Sequence, residues 1–99
     1  MSRTRPMLLE QAELEKQLGE LPAWQCRDGR LTRTLTFRNF ADALTFVNQV
    51  GKLAEEADHH PDICLHDWNR VTLTLWTHDA GGLTMRDVSL AHKIDTLVG

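Results

Sequence analysis

The chain has 99 residues, 41% of them hydrophobic, and a formal net charge of −3. That length supports one compact domain with one core and is too short for two. Acidic and basic residues are interspersed, so no stripe of Lys or Arg can follow a phosphate backbone, and no apolar run approaches a membrane span.

Direct nucleic-acid binding and membrane insertion are therefore not expected. Residues 1–7 carry charge but no apolar stretch of signal-peptide length behind it, which points to a cytoplasmic protein with a loose segment over 1–7 and a single domain over 8–99. Cys26 and Cys64 stand far apart and neither has a CxxC partner, so both read as reduced structural thiols. A domain this small buries a modest share of its surface, which makes a homodimer or homotetramer an expected source of further stability.

From Leu8 to Leu18, apolar residues at 8, 9, 12, 14 and 18 among Glu, Gln and Lys predict a first helix, ended by Gly19 and Pro22. Trp24–Arg27 is a short strand, and Asp28-Gly29 is a turn signal leading into Leu31–Phe37, where every even position is threonine and the odd ones are largely apolar. This is a hairpin with one buried face. Asn39 is a good N-cap for the helix that follows, with apolar residues at 40, 43, 44, 47, 50, 54 and 57 and Phe46 and Leu53 widening the stripe.

Ile63–His66, a turn at Asp67-Trp68-Asn69 and Val71–Trp76 form a second hairpin, again alternating. The last helix begins at Thr84. Thr84 and Asp87 have capping-box spacing, Leu83 and Val88 occupy staple positions, and Leu90, Ala91, Ile94 and Leu97 face inward. The order helix, hairpin, helix, hairpin, helix predicts an α+β domain: an antiparallel sheet of about four strands with helices packed on one face, the strands contributing Leu35, Phe37, Val71, Leu73 and Leu75 to the core.

Ionisable and aromatic groups concentrate between Glu55 and His78, which holds four of the chain's five histidines, with His59 and His60 adjacent and followed by Pro61. The proline blocks helix continuation, so both histidines fall at the end of the second helix. Glu55 and His59 are four apart and are expected to share a helix face, with Asp58 beside them, so that the carboxylate orients the imidazole. His60 is rotated by about 100° on any helical continuation. His78 lies just past the last strand, before Gly81-Gly82, placed to face a cleft. Several imidazoles that titrate near neutrality suit a site in which one group gives a proton and another takes one.

The spacing Glu55-x3-His59-His60-Pro61, Trp68, His78, Asp87 resembles the signature of the pterin-4a-carbinolamine dehydratases. Further support comes from Leu21-Pro22 with Trp24, from Phe37-Arg38-Asn39-Phe40 and from Gly82-Leu83-Thr84-x-Arg86-Asp87, and the similarity spans roughly residues 8–97. The resemblance implies loss of water from 4a-hydroxytetrahydropterin to give quinonoid dihydropterin, with a small-molecule pterin as partner and no metal or organic cofactor. It implies catalytic His59, His60 and His78, and substrate-binding Asp58, Trp76, Thr77 and Asp79, with Glu55, Trp24 and Asp87 as outer members. Trp76 and Asp79 depart from the residues usual at their positions, and Trp68 stands where tyrosine is common.

Structural alternatives stand beside these roles. Asp87 serves equally as a helix capper, Trp24 and Trp68 read as packing residues, and Glu55 as solvated surface. A metal site built on His59, His60 and His78 is disfavoured because adjacent histidines rarely point at one ion without strain. A non-catalytic dimerisation or interaction module on the same fold is the stronger rival reading.

Overall fold

Threonine alternation sets the architecture. The computed structural model describes residues 7–99, so most of the segment expected to be loose over 1–7 lies outside the described residues. The elements are α1 (Gln11–Gly19), β1 (Gln25–Arg27), β2 (Arg30–Thr36), α2 (Phe40–Ala57), β3 (Asp62–His66), β4 (Arg70–Leu75), a single 3-10 turn over His78–Ala80, and α3 (Met85–Val98). The four strands form one antiparallel sheet in the order β1-β2-β4-β3.

The β2–β4 register pairs Leu31 with Leu75, Arg33 with Leu73 and Leu35 with Val71, while Ile63 and Leu65 of β3 oppose Leu73 and Val71. Because successive side chains alternate, these rows lie on one face, and the threonines of β2 and β4 lie on the other, where the Thr34 and Thr72 hydroxyls are hydrogen-bonded at 2.9 Å. The apolar rows join Ala43, Phe46 and Val50 of α2 and Val88, Leu90, Ala91 and Ile94 of α3 in one core. Each fully buried Leu or Ile there contributes roughly 1.5–3 kcal/mol. The α+β class and the element order agree with the sequence-based expectation.

Local chemistry explains the element ends. Asp28 and Gly29 both have positive φ, 52° and 71°, the conformation a two-residue hairpin loop demands. Asn39 caps α2, its side-chain oxygen accepting from the Asp42 amide at 2.8 Å. Arg33 projects from the apolar face of the sheet, ion-paired with Asp95 of α3, and the same carboxylate oxygen accepts the indole N–H of Trp24 at 2.8 Å. An arginine opposite Leu73 is thus neutralised without a second acid.

Several sequence-based placements are corrected. Leu8 and Leu9 precede α1 and are not part of it, because the Leu9 amide donates to the Leu83 carbonyl at 3.0 Å and ties the segment to the start of α3. Phe40 and Leu44 flank the buried stripe of α2 and are about half exposed; the stripe runs through Ala43, Phe46, Val50 and Ala54, the positions that meet the sheet and α3. Leu97 is exposed on the last turn of α3, beside Phe37 and Phe46 at the margin of the core. Trp68 does not pack the hairpin: Asp67 and Trp68 both take left-handed conformations in the β3–β4 turn, which turns the indole out to 61% exposure.

Asn39→Ala removes the side-chain acceptor of the Asp42 amide and is expected to lower the unfolding free energy by about 1 kcal/mol. Urea denaturation followed by far-UV circular dichroism measures this as a lower midpoint with an unchanged slope.

Candidate active site

Two chain reversals bring the histidines together. The first ends α2. Asp58 adopts φ 50°, ψ 43°, its amide donates to the Glu55 carbonyl at 3.3 Å, and the His59 amide donates back to the Ala54 carbonyl at 3.1 Å. This is a Schellman termination, which satisfies two helix-end carbonyls and turns the chain out of the helix before His59. The second follows β4, where Thr77 and Gly82 bridge through N–H···O bonds of 2.8 and 3.3 Å and enclose the turn that carries His78 and Asp79. Gly81 occupies the left-handed region at φ 73° and lets this loop close.

Between the two reversals and the start of α3 lies a cleft of about 260 Å³ lined by Asp58, His59, His60, Trp76, Thr77, His78, Asp79 and Arg86. Seven of these were expected from the sequence. Arg86 was quoted in the motif but not given a role; it sits immediately before Asp87 at the start of α3, and only the packing of that helix against the cleft brings its side chain there. A larger hollow of about 520 Å³ lies between residues 7–13 and the start of α3; Met7, Leu8, Leu9 and Met85 wall it together with Glu10, Glu13, Thr84 and Arg86, and no histidine lines it.

Asp87 lies beneath the cleft with no exposed surface. One carboxylate oxygen meets His59 Nε2 at 2.6 Å; the other accepts from the Thr77 hydroxyl at 2.8 Å and the Thr84 amide at 2.9 Å. Thr77 donates its proton to the carboxylate, so the 2.7 Å contact between the Thr77 and Thr84 hydroxyls is donated by Thr84. The Thr84 oxygen in turn accepts the Arg86 amide at 3.2 Å. Asp87 therefore caps α3 and holds His59 at once, and the two readings open in the sequence are both realised. A carboxylate only accepts, so the His59 proton sits on Nε2 and Nδ1 is left for the cleft.

His60 and His78 are held differently. Glu55 is hydrogen-bonded to His60, not to His59, and both side chains of that pair are more than half exposed. The expected Glu55–His59 face is thereby corrected: left-handed Asp58 breaks the helical progression, so four-residue spacing no longer predicts a shared face. His78 lies against Trp76, ring centroids 4.2 Å apart. Glu55 thus reaches the cleft only through His60. Trp24, 5% exposed and bound to Asp95, is in the core and does not line the cleft. Among the described residues no three His, Cys, Asp or Glu side chains are arranged to hold a metal ion.

The family model described as pterin 4 alpha carbinolamine dehydratase matches residues 7–97. The chain belongs to this family. It is 49% identical over 89 residues to a Thermomicrobium roseum protein named for pterin-4-alpha-carbinolamine dehydratase, covering 90% of this chain and 95% of that one. The crystal structure of a transcriptional coactivator/pterin dehydratase from Brucella melitensis superposes with a TM-score of 0.85 at 35% identity, over 92% of this chain and 98% of that chain. A pterin dehydratase-like protein identified as a RuBisCO assembly factor in the alpha-carboxysome has a TM-score of 0.62 at 27% identity, over 77% of this chain and 87% of its own. Family membership and fold agree with the resemblance read from the sequence.

Asp87→Ala strands three buried donors and uncaps α3, and is expected to cost about 3 kcal/mol of stability. Asp87→Asn keeps the shape and one acceptor, and its melting temperature should fall between the wild type and the Ala variant in differential scanning calorimetry.

Proposed function

We propose that the protein is a hydro-lyase acting on a pterin-4a-carbinolamine, with His59 and His78 exchanging the protons and His60 positioning the substrate. The observation that carries this reading is one cleft holding two imidazoles with unlike support: His59 fixed by a buried carboxylate and His78 held by an aromatic ring. The reaction needs both directions of proton transfer. The N5–H proton leaves to a base, the C4a–O bond breaks as N5=C4a forms, and the departing hydroxyl takes a proton from an acid and leaves as water. His59, with its proton held on Nε2, offers the Nδ1 lone pair as base. His78, reaching in from beyond β4, suits the acid.

Family membership and the names of close relatives support the substrate class, and no metal or organic cofactor enters the scheme. The cleft volume of about 260 Å³ suits a flat bicyclic ring whose substituent extends into solvent. Asp58, Asp79, Trp76 and Arg86 supply polar and aromatic contacts around it, Thr77 forms part of the wall with its hydroxyl held by Asp87 and Thr84, and Glu55 orients His60. The likeness to a RuBisCO assembly factor supports a second reading, a non-catalytic assembly role. The intact carboxylate-backed histidine set favours catalysis.

A homo-oligomer in the cytoplasm completes the proposal. β1 and β3 are sheet edges able to pair with a second copy, Phe40 and Leu44 leave an apolar strip on α2, and the free, exposed Cys26 and Cys64 suit a reducing compartment.

With synthetic 4a-hydroxytetrahydropterin in chelator-treated buffer, and after subtraction of the spontaneous reaction, His59→Ala and His78→Ala are each expected to lower kcat by about 10²-fold or more with a smaller change in KM. His60→Ala should chiefly raise KM. Absence of wild-type turnover above the spontaneous rate refutes the enzyme reading and leaves the assembly role. Light scattering at micromolar concentration should give a mass at least twice the 11.3 kDa of the monomer.

A further inference from the structure

The β2–β4 register continues one step past the end of β4. Leu31 opposes Leu75, so Arg30 stands across from Trp76, and alternation puts both on the threonine side of the sheet, where Trp76 lines the cleft. The Arg30 guanidinium carbon lies 4.2 Å from the centroid of the Trp76 ring. The His78 ring, two residues farther along, is also 4.2 Å from Trp76 by centroids, with planes 33° apart. A cation, an indole and an imidazole are in contact in series.

The support of His78 sets it apart from its two neighbours. His59 and His60 are each hydrogen-bonded to a carboxylate, whereas among the described residues the His78 side chain has neither a hydrogen-bonding partner nor an ion pair, and its ring meets the indole. The indole is half-buried, and Arg30, which forms no ion pair among the described residues, presents its charge to the electron-rich ring.

We infer that Arg30 is a positioning residue for His78, acting through Trp76: the guanidinium holds the indole against the cleft wall, and the indole sets the plane in which the imidazole meets the substrate. This rests on the dehydratase reading, in which His78 exchanges a proton. The rival is a surface cation–aromatic contact that only steadies the end of the sheet. Arg27, the pairing partner of Arg30 in the first hairpin, carries the same charge without contacting Trp76 and separates a contact effect from a general charge effect.

The test combines ring-proton NMR of the ¹³C-histidine-labelled protein with kinetics corrected for the spontaneous reaction. In the wild type the His78 ring protons, assigned from a His78→Gln sample, should lie upfield under the indole ring current. Trp76→Ser should abolish that shift and Arg30→Ala should reduce it. Arg30→Ala should lower kcat about two- to fivefold at nearly constant KM, and Trp76→Ser on the order of tenfold. Arg30→Lys and Trp76→Phe should recover most of the loss, and Arg27→Ala should match the wild type. An unchanged kcat in Arg30→Ala, or an equal loss in Arg27→Ala, overturns the inference whatever happens to the melting temperature. If the wild type shows no turnover, the dehydratase reading fails, while the His78 shifts still test the stack: unperturbed shifts in Arg30→Ala overturn it.

Discussion

The carboxylate of Asp87 is the constraint on which fold and site both depend. It has no exposed surface, and an ion in that position is tolerated only if its lone pairs are occupied. Three donors occupy them, and they come from three separate stretches: His59 after α2, Thr77 after β4, and Thr84 ahead of α3. The α3 N-terminus adds a favourable dipole for the negative charge. One residue thereby ties the second helix, the last strand and the last helix together at the point where the cleft opens.

Two backbone reversals determine what that anchor can hold. If α2 had simply continued, His59 would lie above Glu55 and face the same way. The left-handed Asp58 instead sends His59 down to Asp87 and leaves His60 outside, within reach of Glu55. Adjacent residues with the same side chain thus receive different environments, one buried and one solvated. A His–carboxylate pair inside the protein keeps a fixed tautomer, whereas an exposed pair exchanges freely with water.

The sheet supplies the third histidine by a different device. Its inner rows fix the register through Leu31–Leu75 and Leu35–Val71, because a slip of one residue would turn every buried leucine outward. That register carries one step past β4 and sets Arg30 across from Trp76, whose ring meets His78 in the cleft wall. A polar intrusion on the inner face, Arg33, is neutralised by Asp95, which also takes the Trp24 indole N–H and so links the segment ahead of β1 to the final helix.

Much of this was legible in the sequence, where the signal is local. The threonine alternation marked both central strands because side-chain direction has period two. Asp28-Gly29 marked the first turn because it meets a steric demand for positive φ, and Asn39 and the Thr84–Asp87 pair marked two helix starts because capping involves only neighbouring residues. The histidine spacing identified the family. What the sequence could not decide were pairings across elements. Helical spacing placed Glu55 with His59 because it assumed an unbroken helix, whereas a single left-handed residue reassigned both carboxylates. The same limit hid Arg86 in the cleft, Trp24 on Asp95 and the outward Trp68. Each depends on which element packs beside which, and that is set by burial of the whole core and not by any neighbouring residue.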